Sequence, residues 1–131
     1  LIKELAIPKG TINFEGVKND KEIAALFQSH DAFLLFSNYE TFSVVIAEAW
    51  CAGTPVISTV CGGLTNEINS TSGLTVEKGN EKDLEEKLHL FLDGKVTFDI
   101  KHLREQALQR FSYQAVNQQF SSIYKEVLAN G

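Results

Sequence analysis

The fold is decided by residues 32–59, which read AFLLFSNYETFSVVIAEAWCAGTPVIST. Residues 32–36 form a continuous apolar run, which is typical of a strand buried on both faces of a parallel sheet. Residues 43–51 follow with apolar side chains around most of a helix, and Gly53, followed by a proline, indicates where that helix ends. Because residues 55–59 form another short apolar run, this stretch predicts a strand, a buried helix and a further strand.

The alternation of strands and helices extends to both sides of this stretch. Asn19 followed by Glu22 has the pattern of a capping box, which predicts a helix start after a short strand at residues 11–15. The elements predicted downstream are a short helix 64–69, a strand 73–76, a helix from Asn80 to near Gly94, and helices 99–110 and 112–128. This order predicts an α/β fold with an open, mostly parallel, Rossmann-like sheet that carries helices on both faces.

Composition narrows the class of protein. The chain has 131 residues, which fits one domain, and its 44% hydrophobic content is enough for a core. The net charge of −5 favours neither nucleic acid nor an anionic membrane surface, and no run approaches the roughly 18 apolar residues of a membrane span. Cys51 and Cys61 have no zinc-site spacing and are too few for a disulfide framework, which favours a reducing, cytoplasmic setting.

The chain is expected to be a piece, residues 1–131, of a longer protein. It contains no Met and begins Leu1-Ile2-Lys3 without the pattern of a removed leader. His30, His89 and His102 lie in different segments without metal-site spacing, so we expect no metal site among them.

Ligand chemistry is expected where the loops leave the strands, because open parallel sheets bind ligands beyond the carboxyl ends of their strands. The loops concerned are 16–18, 37–43 and 60–63. The middle loop contains Glu40 and leads into a helix whose first free N–H groups come from about Phe42 to Val45, with Ser43 as a helix cap.

Two glutamates flank this helix start. Glu40 precedes the helix and Glu48 lies just over one turn inside it, so a carboxylate, an anion-binding helix end and a second carboxylate are expected along one rim. This arrangement suits a nucleotide-sugar, whose diphosphate lies between two rings that carry hydroxyls. Glu48, placed between Ala47 and Ala49 in an apolar helix, is expected to be buried with a partner. Two glutamates eight residues apart also occur by chance, which leaves open a non-enzymatic, doubly wound module that docks a partner protein.

A more specific signal is the pattern of residues 37–49, SNYETFSVVIAEA, followed by residues 53–57, GTPVI. They resemble the E-x7-E signature of the group 1 glycosyltransferases with the GT-B fold. Further matches to the family pattern are Gly62-Gly63, Glu67, Gly73-Leu74 and the Ser112-Tyr113 pair that begins the last helix. The resemblance implies a retaining, hexosyltransferase-type enzyme of polysaccharide biosynthesis or a similar pathway, with two Rossmann-like domains, of which this chain is the carboxy-terminal, donor-binding one.

The resemblance also implies roles for individual residues. Glu48 would bind the ribose, and Glu40 with Phe42 would bind the transferred sugar. The remaining implied contacts are the backbone N–H groups of Phe42, Ser43 and Val44 with the diphosphate, and the Gly16-Val17 loop with the base. The family usually has Gly where this sequence has Thr41 and Ser43, which affects how closely the sugar can approach.

Two parts of the family's machinery are absent from this chain. The basic pair that neutralises the leaving diphosphate lies upstream of the region present, and Lys18 does not match it. The amino-terminal acceptor-binding domain is missing too, and any contact with the inner face of a membrane would belong to it. The resemblance therefore implies a nucleotide-sugar as substrate, no metal or cofactor, and no transfer by this chain alone. In the last helix, an apolar stripe containing Phe120, Ile123 and Tyr124 is expected to pack in the core, with part of it available to the missing domain.

Overall fold

A computed structural model of the protein describes residues 7–129. From the first helix onward, the elements follow the predicted order. In chain order they are α1 (Asp20–Ser29), β1 (Phe33–Leu35), α2 (Val44–Ala52), β2 (Val56–Thr59), a 3-10 helix (Gly63–Glu67), β3 (Gly73–Val76), α3 (Glu81–Leu92), α4 (Ile100–Phe111) and α5 (Tyr113–Ala129). None of the helices described is long and apolar enough to cross a membrane.

The sheet is open and wholly parallel, with strand order β1-β2-β3. Phe33 lies opposite Val56, and Val56 lies opposite Gly73. A Cβ at position 73 would lie 1.9 Å from the Val56 carbonyl oxygen, so the pairing of β2 with β3 requires glycine there. Helices flank the sheet: α2 packs against α1 and α4, and α3 packs against β3. The predicted α/β fold is therefore confirmed.

Two strand predictions differ from the structure. Residues 11–15 form no strand, and Phe14 is 83% exposed, because an alternation of only two apolar side chains finds no neighbouring strand to bond among residues 7–129. β1 forms as predicted but lies at the edge of the sheet, and Leu34 is 46% exposed rather than buried on both faces. The fully buried strand is β2, which has a partner on each side.

Local signals place the helix ends. The Asn19 side chain accepts from the N–H groups of Lys21 and Glu22, both at 3.1 Å, and the Glu22 carboxylate accepts from the Asn19 N–H at 2.9 Å. The predicted capping box is therefore confirmed. At the end of α2, Gly53 adopts the left-handed conformation with φ 89°, and its N–H bonds back to the Trp50 carbonyl at 2.9 Å.

The core lies between α2 and its neighbours. Ile46 and Trp50 of α2 meet Leu103 of α4, and all three are buried. Two polar contacts fix the register of this packing: the Trp50 Nε1 donates to the Ser72 carbonyl at 3.0 Å, and the Thr54 hydroxyl donates to the Phe27 carbonyl at 2.7 Å. Every buried side-chain nitrogen or oxygen in the described chain has a partner, as a well-packed interior requires.

The expected core packing of the last helix is wrong. No residue of α5 is buried, and its large apolar side chains lie open to solvent, with Phe120, Ile123 and Tyr124 at 56%, 55% and 65% exposure. The periodicity correctly identified an amphipathic helix, but the surface that would cover its stripe is not within residues 7–129.

Candidate functional site

The loops that leave β1 and β2 are tied together at the carboxyl edge of the sheet. The Ser37 N–H donates to the Thr59 hydroxyl oxygen at 3.1 Å, and that hydroxyl donates to the Ser37 carbonyl at 2.6 Å. Further along, the Glu40 N–H donates to the Cys61 carbonyl at 3.2 Å. The predicted shared edge is therefore confirmed for loops 37–43 and 60–63, whereas loop 16–18 leaves no strand because residues 11–15 form none.

Gly62 and Gly63 allow the second loop to pass close against the first. A Cβ at Gly62 would lie 2.4 Å from the Glu40 carbonyl oxygen, and one at Gly63 would lie 2.7 Å from the Phe42 backbone. Both glycines have positive φ, and the Leu64 N–H donates to the Phe42 carbonyl at 3.0 Å. The double glycine thus permits the close approach of this loop to the backbone of Glu40 and Phe42.

A buried threonine that the sequence analysis did not identify holds this turn. The Thr65 hydroxyl oxygen accepts from the N–H groups of Cys61 and Gly62 at 2.9 and 3.0 Å and donates to the Gly62 carbonyl at 2.6 Å. Thr65 is fully buried. A threonine three residues after a glycine is the signal that would have indicated this side-chain turn.

Ser43 begins α2 in an unusual conformation. Its φ of 66° and ψ of 58° place it in the left-handed region, and it is the one non-glycine residue among those described with positive φ. Its side chain makes no capping bond to α2; instead its hydroxyl donates to Glu40 Oε2 at 3.0 Å. The predicted capping role is therefore wrong, because a cap needs extended backbone to aim its oxygen at the helix N–H groups.

The first N–H groups of α2 are available to a ligand. Among the described residues, no acceptor takes the N–H of Phe42, Ser43 or Val44, whereas the Ile46 N–H already donates to the Ser43 carbonyl at 2.9 Å. Phe42 and Val44 are 50% and 59% exposed, so solvent reaches this end of the helix. Helix N-termini of this kind carry partial positive charge and bind anions.

Glu48 lies on the exposed face of α2, so its predicted burial is wrong. α2 buries the stripe formed by 46, 47, 49 and 50, and at 100° per residue position 48 falls opposite that stripe, below exposed Val44. The Glu48 side chain lines a groove of about 280 Å3 between α1 and α2, together with Asp20, Ile23 and Cys51. Burial raises the pKa of the Cys51 thiol, so it stays protonated at neutral pH.

The predicted site residues fall into two groups. Glu40, Phe42 and Ser43 cluster at the start of α2 and lie outside the lining of the groove that contains Glu48. Gly16 and Val17 lie in the loop before α1, separated from it by Lys18 and the cap residue Asn19, and the first residue of α1 lines the groove. Val17 is fully exposed, and Glu15 and Lys18 pair at 3.3 Å across this loop.

Glu67, which the family pattern includes, has a structural partner. Its carboxylate forms a two-pronged ion pair with the Arg110 guanidinium of α4, with one nitrogen-to-oxygen distance of 3.0 Å. This hydrogen bonding lowers the pKa of Glu67 and raises the pKa of Arg110. Arg110 also lies 4.7 Å over the Phe111 ring. Residues 7–129 contain no group of three or more His, Cys, Asp or Glu that could hold a metal ion.

Known proteins match both this sequence and this fold. The sequence profile of the family described as Glycosyl transferases group 1 matches residues 1–115. Among curated relatives, the chain is 32% identical over 124 residues to the N,N'-diacetylbacillosaminyl-diphospho-undecaprenol alpha-1,3-N-acetylgalactosaminyltransferase of Campylobacter jejuni, covering 92% of this chain and 32% of that protein. The chain thus spans about a third of the length of the relatives it matches.

Solved structures share the fold. Sucrose-phosphate synthase from Thermosynechococcus elongatus superposes with a TM-score of 0.84 at 24% identity, over 99% of this chain and 33% of that one. Anabaena HepE in complex with UDP superposes with a TM-score of 0.79 at 24% identity, over 95% and 35% of the two chains. By its sequence and its parallel α/β sheet, this chain belongs to the group 1 glycosyltransferases with the GT-B fold.

Proposed function

We propose that this chain is the donor domain of a retaining, hexosyltransferase-type glycosyltransferase and that it binds a nucleotide-diphosphate sugar. The observation that carries the proposal is the start of α2, where available N–H groups adjoin the Glu40 carboxylate and precede the exposed Glu48 on the same helix. A relative that acts as an N-acetylgalactosaminyltransferase and a fold neighbour that binds UDP support this class of ligand.

The diphosphate would bind at the amino-terminal end of α2. The N–H groups of Phe42, Ser43 and Val44 lack acceptors in the described chain, and the partial positive charge of the helix end favours an anion there. Charge-assisted bonds from backbone N–H groups need no metal ion, so we propose that the donor binds without one. In this scheme, the basic pair that the family uses against the leaving diphosphate is supplied by a part of the protein outside this chain.

The nucleoside would lie along the groove between α1 and α2. Glu48 projects into this groove, and a carboxylate can accept hydrogen bonds from both ribose hydroxyls. The Gly16-Val17 loop precedes the first residue of α1 that lines the groove, which suits a contact with the base. The sugar would lie at the other side of the diphosphate, against Glu40 and the half-exposed ring of Phe42.

The acceptor would be bound by a domain outside this chain, which spans about a third of its relatives. The uncovered apolar stripe of α5 supports this proposal, because a stripe of large exposed side chains of this extent marks an interaction surface. We therefore expect no sugar transfer by the isolated chain. The two free cysteines are consistent with a cytoplasmic setting, and a contact with the inner face of a membrane would be made by the rest of the protein.

Calorimetric titration with nucleotide diphosphates, with and without a sugar, tests the proposal. Glu48→Gln should weaken binding of the bare nucleotide by about tenfold, because an amide accepts more weakly than a carboxylate from the ribose hydroxyls. Glu40→Gln should leave the bare nucleotide unchanged and weaken only the sugar-bearing donor. Glu85→Gln, on the exposed surface of α3, is the matched control.

The outcomes distinguish a donor-binding domain from a non-enzymatic module that docks a partner protein. Wild-type binding that collapses in EDTA and returns with magnesium would contradict the metal-free scheme. If both glutamate variants bind like the wild type, the assigned roles are wrong. If no nucleotide diphosphate binds at all, the docking module with solvated glutamates becomes the better account of this chain.

A further inference from the structure

We infer that Ser43 is a positioning residue, whose hydroxyl holds the Glu40 carboxylate in a fixed orientation toward the donor sugar. The inference deepens the proposed function and rests on it. Three observations carry it: the left-handed backbone of Ser43, the burial of its side chain, and its hydrogen bond to Glu40.

The backbone at position 43 favours glycine. A φ of 66° is strained for a residue that carries a Cβ, and such strain persists in folded proteins when surrounding contacts enforce it, most often at functional sites. Every other described residue with positive φ is a glycine. A serine at this position therefore calls for an interaction that glycine cannot supply.

The interaction is the bond to Glu40. Ser43 is only 6% exposed, so its hydroxyl needs a partner within the protein, and the distance of 3.0 Å to Glu40 Oε2 supplies it. The bond uses one acceptor position of Oε2 and leaves the others of the carboxylate for a ligand. Because the Glu40 N–H is also tied to the Cys61 carbonyl at 3.2 Å, both the backbone and the side chain of Glu40 are fixed before a ligand arrives.

The test compares two variants that lose the hydroxyl but differ in strain. Ser43→Ala keeps the Cβ in the left-handed region, whereas Ser43→Gly removes it. We expect Ser43→Gly to melt about 3 °C or more above Ser43→Ala, because glycine adopts this backbone freely. In both variants, the ratio of the affinity for the sugar-bearing donor to the affinity for the bare nucleotide should fall about fivefold. A loss of this size corresponds to about one hydrogen bond.

This pattern distinguishes positioning from a merely structural role. If Ser43 only shaped the loop, binding would follow stability, and Ser43→Gly would bind the sugar-bearing donor at least as well as the wild type. That result overturns the inference. In a Glu40→Gln background, Ser43→Ala should add no further loss, because the two side chains act as one unit. Ser70→Ala removes an exposed hydroxyl without a partner among the described residues and serves as the control.

A measurement without ligand completes the test. NMR relaxation of the Glu40 side chain should show a more restricted carboxylate in the wild type than in either Ser43 variant. The wild type should bind the sugar-bearing donor more tightly than the bare nucleotide. If Glu40→Gln abolishes this gain in affinity but Ser43→Ala retains it, the inference fails and the proposed function stands. If the wild type binds no nucleotide diphosphate, both fail together.

Discussion

Helices α2 and α5 both carry large apolar side chains, but α2 buries them and α5 leaves them exposed. α2 buries Ile46 completely and leaves Trp50 only 5% exposed, whereas α5 leaves Phe120 and Ile123 more than half exposed. α2 connects two paired strands and packs against α1 and α4, so its partners lie within the chain. The contrast teaches that an apolar stripe identifies the face of a helix that packs against a partner, but not whether that partner lies within this chain.

The contrast predicts different costs for the same substitution. Ile46→Ala should lower the free energy of unfolding by about 3 kcal/mol, because it removes fully buried methylenes and leaves a cavity. Ile123→Ala, at 55% exposure, should change it by about 0.5 kcal/mol or less. Both positions are helical, so the change in helix propensity cancels between them. Urea denaturation of the two variants measures the difference.

An Ile123 effect as large as that of Ile46 would mean that α5 is covered in solution. Repeating the unfolding at several protein concentrations would then show whether a second copy covers it, since the stability of a dimer rises with concentration.

The loops at the carboxyl ends of the strands should prove nearly as tightly packed as the core. Gly63→Ala should cost about 2 kcal/mol, because the new Cβ meets the Phe42 backbone at 2.7 Å and the left-handed region disfavours alanine. Gly94→Ala introduces the same left-handed alanine where nothing lies within 4 Å, and it should cost about 1 kcal/mol. Only Gly63→Ala should also weaken nucleotide binding. Equal costs for both would show that Phe42 moves aside freely and does not define the site.

The sequence predicts those features that depend on neighbours along the chain. The capping box at Asn19, the helix stop at Gly53 and the strand at residues 56–59 follow from local signals, and the structure has all three. The shared loop edge also follows, since parallel strands end together. Each of these features is set by residues a few positions apart, or by a topological rule that the element order already implies.

Features that depend on distant partners could not be predicted. Residues 11–15 do not form the predicted strand. A strand requires a neighbouring strand to pair with, and a local pattern does not show whether one is present. The left-handed conformation of Ser43 lies next to the close approach of Gly63 to Phe42, which comes from a different loop and leaves no local sequence signal. The exposure of Glu48 follows from which face of α2 the strands and α4 take, and a helix with apolar residues on every side does not reveal that face.

The smallest expected effect concerns the ion pair between Glu67 and Arg110, which links the 3-10 helix to the last turn of α4, just before α5 begins. Its side chains are 42% and 51% exposed, so solvent screens the pair and Glu67→Gln should cost less than about 1 kcal/mol at pH 7. Because Arg110 holds the pKa of Glu67 below its ordinary value of 4.5, the stabilisation is complete above that pH. It is lost as the pH falls through the lowered pKa of the folded state.

The unfolding free energies of wild type and Glu67→Gln should therefore differ at pH 7 and converge as the pH falls through the lowered pKa of Glu67, where the carboxyl becomes protonated and resembles the amide. Glu85 lies on the exposed face of α3 and has no partner among the described residues, so Glu85→Gln serves as the control. Added salt should shrink the Glu67 difference at pH 7, since exposed pairs are screened. A difference that stays constant at every pH from 7 down to acid unfolding would assign the role of Glu67 to packing against α4 rather than to charge.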